Sequence, residues 1–402
     1  MALMPQTALM NVPLDVYAIE DTSAIITPAL LIYPELVDAN IQTTLRILGN
    51  DENRLRPHIK TAKLGAILRR FVAHQVTRFK CSTTLELLAA CENGATDVLL
   101  AFPVVGANAR RTVEIAKQFP SVRISVLVES IQQASLWDNT SVGIFIDLNP
   151  GMNRTGIAGD RLDDIRDIAR RSGVRFRGLH YYDGHMSAHS LHERERPAHE
   201  GYDRLMELVD ALESSGLEIG EVITSGTPAF PFALTYHGFR GRRFQHSVSP
   251  GTVVFNDATT LRQLPPEYDY VPAALVLSTV VSQPLPNVFT CDAGHKSVSA
   301  DAGVPTCVVV GHPEWTPLKP SEEHLPVEAA DASTMPGIGD SIYLLPRHVC
   351  PTVNNFDHAL FVKEGHVIGL ERVTARGHEA PLSAEAVVQP ANPSQLTQLS
   401  TP

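Results

Sequence analysis

The 402-residue chain has no run approaching the roughly 20 consecutive apolar residues that crossing a bilayer as a helix requires. Its start, Met1 to Asp15, lacks the basic opening and long apolar stretch of a secretory signal, so a cytoplasmic location is expected. Cysteine is sparse and scattered: Cys81, Cys91, Cys291, Cys307 and Cys350 form no Cys-x-x-Cys, which argues against a disulfide framework. Positive charge is in the minority, with 33 Lys and Arg against 44 Asp and Glu and a net charge of -11. That balance disfavours a general nucleic-acid or anionic-membrane surface.

What is present is alternation. From about Ile26 to Val254 short β-rich runs alternate with amphipathic helical patterns. Val98–Phe102, Ser121–Glu129, Val142–Leu148, Phe176–Tyr182 and Glu221–Ser225 read as buried strands, each bounded by Gly, Pro, Asn or Asp. Ala62–His74, Thr83–Glu92, Ala107–Gln118, Arg161–Arg171 and Tyr202–Glu213 read as helices. In the last, Leu205, Leu208, Val209 and Leu212 make one apolar face. The pattern predicts an α/β fold: a parallel sheet closed as a (β/α)8 TIM-like barrel over 26–262, with an open doubly wound sheet as the alternative. After Thr259 the texture changes. Leu275–Val281, Cys307–Gly311, Ser341–Leu345 and His358–Lys363 read as strands between Pro- and Gly-rich turns, predicting a smaller, mainly antiparallel β domain over 263–380. Residues 1–25 are expected to join it, and the polar stretch 381–402 to form a disordered tail.

Several segments carry chemistry. Arg56-Pro57-His58-Ile59-Lys60-Thr61-Ala62-Lys63 places a lysine at the end of a barrel strand, the face on which such barrels keep their active sites. Neighbouring cations and apolar walls favour loss of its proton, leaving Lys60 a nucleophilic amine; a solvated loop lysine is the plainer alternative. Lys63 opens a helical pattern and is expected on the surface. Arg154, in the loop from Asp147 to Gly156, could reach over the barrel mouth or serve a cap or salt bridge. Thr224-Ser225-Gly226-Thr227 and Ser249-Pro250-Gly251-Thr252 follow late strands, where N–H groups and hydroxyls suit a phosphate; each alone also reads as an ordinary turn. Pro346 to Thr352 reads as extended, so His348 and Cys350 would point to one side. Imidazole plus thiolate suits zinc, and two ligands would leave the metal open to water or substrate. A lone His-x-Cys also arises by chance. His185 and His189 are candidate acid–base groups, or loop histidines facing solvent.

Taken in order, Arg-Pro-His-Ile-Lys-Thr, Asp147 to Gly156, Gly178 to His185, Ser249 to Thr252, Asp292 to Lys296, Ser321 to His324 and Pro346 to Thr352 resemble the D-threonine aldolase / D-serine dehydratase family, across about Ile26 to Val373. The resemblance implies an alanine-racemase-like fold, a pyridoxal 5'-phosphate (PLP) cofactor, a homodimer and a small D-amino acid substrate, with no nucleic acid or membrane partner. By it, Lys60 is the Schiff-base lysine and Arg154 stands beside the cofactor's phenolic oxygen. Thr227, Gly251 and Thr252 match phosphate contacts. His348 and Cys350 match ligands of a divalent metal, zinc with manganese or magnesium as alternatives. Ser321 to His324 is expected beside that metal.

Two departures bear on activity. Ser249 stands where racemases carry an arginine, and Tyr182 where they carry a histidine, so Tyr182 could approach the cofactor's ring nitrogen. A neutral partner there leaves the ring a weaker electron sink. Aldolases of the family often have His-x-Asp and dehydratases His-x-Cys. The resemblance therefore implies a D-serine or D-3-hydroxy-amino-acid dehydratase, with Lys60 removing the α-proton and a 2-oxo acid and ammonia as products. The alternative is retro-aldol cleavage to glycine and an aldehyde, with His185 or His189 as base. An amino-acid racemase would need a second base, and Tyr343 lies inside a strand pattern. A non-catalytic PLP carrier would need neither the β domain nor His348 and Cys350.

Overall fold

The computed structural model describes residues 13–381, which form two sheets. The first twelve residues of the expected N-terminal segment, and the expected tail from 382 onward, lie outside the described residues. After β1 (Ala29–Ile32) come β2 (Arg78–Cys81), β3 (Asp97–Leu100), β4 (Arg123–Val128), β5 (Gly143–Asn149), β6 (Ile157–Ala158), β7 (Phe176–Tyr181), β8 (Glu221–Thr224) and β9 (Gln245–Val248). They pair parallel in the order β2-β3-β4-β5-β7-β8-β9, with β6 attached to β5. The two open edges of this curled sheet meet on one segment. Leu55 bridges Val248 and His58 bridges Lys80. Arg56 donates its N–H to Val248 at 2.9 Å and Ile59 donates to Lys80 at 2.8 Å. Residues 55–60 thus serve as an eighth strand, which places the lysine motif at the seam.

Alternate residues of these strands face the interior in layers, as a two-residue period demands. At the N-terminal end Arg56 reaches Asp97 at 2.8 Å and Glu221 at 2.9 Å, with Arg78 also on Glu221. Two residues along come Leu99, Phe145 and Ile223, which with Leu127 make a small apolar plug. Above it stand Lys80, Asp147 and His180. Outside the ring, helices bury their apolar stripes in one large core; Leu205, Leu208, Val209 and Leu212 of the helix Glu195–Ser214 all belong to it.

The strands β2 and β9 are absent from the expectation because Arg-Phe-Lys-Cys and Gln-His-Ser-Val are too polar to read as buried runs. Arg78, Lys80 and Ser247 turn into the ring, while His246 stacks on Phe239 in the core outside it. Lys63, expected on the surface, is buried instead: its Nζ lies 2.9 Å from Glu86 Oε1 and bonds the Ala375 carbonyl. Glu86 is held inside at the start of the helix Thr84–Glu92, its N–H donated to the N-cap Thr83 hydroxyl and its carboxylate accepting the Ser82 N–H, and a buried carboxylate demands a cation.

The second sheet contains β10 (Ala274–Leu285), β11 (Val288–Cys291), β12 (Cys307–Val309), β13 (Trp315–Pro317), β14 (Leu325–Ala329), β15 (Ser341–Pro346), β16 (His358–Lys363) and β17 (His366–Arg372). Its order is β13-β14-β11-β10-β1-β16-β17, with β15 joining β10 to β12. Although β1 falls within the expected barrel range, it lies here, antiparallel to β10 and parallel to β16. An all-apolar Ala-Leu-Leu-Ile suits a strand covered on both faces: Leu30 and Ile32 enter the large core and Leu31 a separate one. Tyr17 and Ile19 pack into that separate core, and the Ile19 N–H donates to Tyr343 Oη at 2.8 Å. Asp257 joins ring and second sheet, accepting from Thr260 N at 2.7 Å and from Val349 N at 2.9 Å. Among the described residues no helix is long and apolar enough to cross a membrane.

Candidate active site

The seam segment carries Lys60 at the open C-terminal mouth of the ring, exposed, with its N–H donated to His58 Nδ1 at 3.2 Å. The two Gly-Thr turns converge beside it. Thr227 Oγ1 accepts the N–H groups of both Gly251 and Thr252, each at 3.2 Å. Gly251 lies so close to the seam that a Cβ there would come within 2.7 Å of the His58 carbonyl oxygen. Only glycine permits that approach. Ser249 Oγ is buried without a hydrogen-bond partner among the described residues.

On the other side of Lys60, Thr61 Oγ1 lies 3.0 Å from Cys350 Sγ. The segment from 346 to 352 is not extended throughout: Cys350 belongs to the short helix Val349–Asn354, and His348 is its N-cap. The two side chains still stand two residues apart at the start of this helix, each close enough to shift the other's titration. Burial disfavours a charged His348, but Cys350 and Asp301 outweigh it and raise the imidazole to about 9. Burial likewise pushes the Cys350 thiol up, yet His348 and Lys60 prevail and hold it below its ordinary value. The partner that fixes His348 is Asp301, at 2.6 Å from Nδ1. Ser321 to His324, expected near this pair, instead packs on the Asp292–Lys296 motif, where Lys296 N donates to the Glu322 carbonyl and Lys296 Nζ lies 2.8 Å from Glu322 Oε2. Among the described residues no group of three or more His, Cys, Asp or Glu side chains gathers as a ligand set, so His348 and Cys350 stand as a pair.

Tyr182 follows β7 and is clamped. Arg154 Cζ lies 4.7 Å from its ring centroid and Lys80 Nζ 5.3 Å. A Cβ on Gly184 or Gly226 would come within 2.5 or 2.7 Å of ring atoms. Behind it, Lys80 Nζ is 3.3 Å from His180 Nε2, and His180 Nδ1 is 2.7 Å from Asp147 Oδ1. Asp183, next to Tyr182, accepts from Tyr202 Oη at 2.6 Å, and burial raises its carboxyl to about 6. His185 is half-buried near Gly151, its Nδ1 without a partner among the described residues; burial, then His189, lowers its pKa. His189 is exposed, and its carbonyl accepts from Arg194 at 2.8 Å.

The structure thus gathers Lys60, Thr227, Gly251 and Thr252 with Cys350 and His348, and sets Arg154 on Tyr182. Sequence reasoning missed Lys80. Its signal was the period of two in Arg78-Phe79-Lys80-Cys81, which sends both cations to one side.

Residues 32–258 match the family model described as "Alanine racemase, N-terminal domain", and residues 273–362 match "Putative serine dehydratase domain". A D-threonine aldolase from Arthrobacter sp is 25% identical over 365 residues, covering 87% of this chain and 93% of that protein. A D-threo-3-hydroxyaspartate dehydratase from Delftia sp. (strain HT23) is 23% identical over 381 residues, covering 86% of this chain and 97% of that protein. Among solved structures, D-threonine aldolase from Filomicrobium marinum superposes with a TM-score of 0.79 at 29% identity, covering 87% of this chain and 96% of that one.

Proposed function

Because the chain belongs to the family of the alanine racemase N-terminal domain, with a serine dehydratase domain following it, we propose that it is a PLP- and zinc-dependent lyase that dehydrates D-configured β-hydroxy amino acids. A lyase acting on D-hydroxy amino acids is what the relatives with both activities support in common. The observation that carries the dehydratase reading is Cys350, a buried thiol whose pKa His348 helps to lower and which is hydrogen-bonded to the residue after Lys60.

The site fits both groups. The buried Ser249 hydroxyl, without a partner among the described residues, the cradle at Gly251 and the Thr227 hydroxyl suit a phosphate, within reach of the seam that bears Lys60. Tyr182 and Arg154 would flank the ring. Bound PLP supplies an electron sink for the charge left on the substrate's α-carbon. His348 and Cys350 would hold zinc, which supplies Lewis acidity toward the β-hydroxyl. Asp301 orients the His348 ring through Nδ1, so Nε2 is the nitrogen that would meet a metal, on loss of its proton. The Thr61 hydroxyl steadies Cys350 Sγ. Lys60 Nζ takes the α-proton and holds it, and the β-hydroxyl leaves with its bonding pair. The released enamine hydrolyses to a 2-oxo acid and ammonia.

A second reading, retro-aldol cleavage, is favoured by His185. An imidazole of lowered pKa with an unpartnered Nδ1 suits a base toward the β-hydroxyl, after which Cα–Cβ breaks to give glycine and an aldehyde. For racemisation Tyr343 is unsuited, since its hydroxyl is engaged by Ile19. Our reading also includes a homodimer, a cytoplasmic location and a domain boundary near residue 262.

Incubation with D-serine, D-threonine and D-alanine separates these readings. We expect pyruvate and ammonia from D-serine. Glycine with acetaldehyde from D-threonine, and no pyruvate, would mean the aldolase; L-alanine a racemase; no turnover a carrier. Lys60→Ala should abolish the visible absorbance of lysine-bound cofactor, and an unchanged band would move the cofactor to another lysine.

A further inference from the structure

Lys80 is only 2% exposed, yet it forms no salt bridge among the described residues. It rises from β2 directly beside the seam: its N–H donates to the Pro57 carbonyl at 3.0 Å, and its own carbonyl accepts from Ile59. Its Nζ has two neighbours of note. One is His180 Nε2 at 3.3 Å; the other is the face of Tyr182, whose ring Arg154 also approaches. The ring tautomer of His180 is set by Asp147: with Nδ1–H donated to that carboxylate, Nε2 is an acceptor. Asp147 is fixed in turn by the Thr155 hydroxyl at 2.7 Å. The order Thr155, Asp147, His180, Lys80 is therefore one chain, buried from Asp147 onward, that ends at the mouth of the ring.

We propose that Lys80 is a second amine of this site, a positioning residue that braces Tyr182 together with Arg154 and holds an exchangeable proton at Nζ, backed by His180 and Asp147. The inference rests on the reading that PLP is held at Lys60. As a free amine, Lys80 donates one N–H to His180 Nε2 and keeps a lone pair. On gaining a proton at that lone pair it becomes an ammonium, which Asp147 relieves through His180 and which strengthens the attraction to the Tyr182 face. The charged and titratable groups around it are Lys60 and His58 on the seam, Asp147 and Arg154 on β5 and the loop after it, and His180, Tyr182 and Asp183 on and after β7. Burial, then the Lys60 charge, bring Lys80 down to about 7, while Asp147 and Asp183 pull the other way. The proton thus enters and leaves within the working range of pH.

Two measurements test this. Absorbance of the holoenzyme's bound cofactor, followed from pH 5.5 to 9, should show a transition in that range, below the ordinary value of a lysine. Lys80→Met should keep the band and lose that transition, and His180→Gln should move its midpoint by a unit or more. A wild type with no transition in that range, or a Lys80→Met protein that titrates like it, overturns the proposal. The second measurement needs no bound cofactor, so its failure is separate from that of Lys60. Between the lysine's ordinary value and about 7 the unfolded chain binds a proton that the folded chain refuses, so wild-type stability falls as pH falls. The urea midpoint of Lys80→Met should therefore exceed that of wild type by a gap that widens from pH 10 to pH 7. A gap independent of pH overturns the proposal.

Discussion

At position 350 one side chain does three things at once. Cys350 is buried, it accepts from or donates to Thr61, and it titrates in step with His348 two residues before it. A thiol in apolar surroundings would ordinarily stay protonated, whereas this one is held toward thiolate by an imidazole and by the charge of Lys60. A soft sulfur beside a nitrogen is a donor set for zinc, which binds the thiolate form. Cys350→Ala should strip zinc while leaving bound PLP, because Thr227, Gly251 and Lys60 lie on other segments. Metal analysis and absorbance on the same sample check this, and full zinc occupancy would remove Cys350 from the ligand set.

Each element places its functional residues through a local requirement. The helix Val349–Asn354 swings Cys350 onto Thr61, where an extended segment would have relied on strand alternation alone. β7 approaches β8 so closely at Gly178 that a Cβ there would lie 1.8 Å from the Glu221 carbonyl oxygen. That contact sets the register that puts His180 beside Ile223 and Tyr181 beside Thr224, just before Tyr182. Gly178→Ala must force β7 and β8 away from each other. Its expected cost is on the order of 3–5 kcal/mol, in the range of severe core lesions, read from the urea midpoint. A change under about 0.5 kcal/mol would show that the strands yield without loss.

For the molecule as a whole, the site exists only where the two sheets meet. Lys60 and the two Gly-Thr turns belong to the ring, His348 and Cys350 to the segment between β15 and β16. Asp257, buried, ties them by accepting from Thr260 and Val349. Asp257→Ala leaves the Val349 N–H without its partner, at a cost of about 1–3 kcal/mol. It should weaken zinc binding more than PLP binding, measured by parallel titrations. An equal effect on both would mean that Asp257 serves overall stability alone.

Apolar runs bounded by turn formers and separated by amphipathic stripes were legible without coordinates, because burial of a strand or helix face writes a period into its own residues. So β3, β4, β5, β7 and β8 and the change of texture after Thr259 stood out, as did the motif at Lys60. Where charge is buried by partners far along the chain, no local period reveals it. Lys63 needed Glu86, and Lys80 needed His180 from 100 residues away. β2 and β9 went unread for the same reason, and β1 crossed to the other sheet because an apolar run does not say which partner will cover it. The amino-acid order determined which segments would be buried and which chemistry was on hand. Tertiary structure alone decided which polar groups could be buried, since desolvation is offset only by partners that folding brings within hydrogen-bond reach.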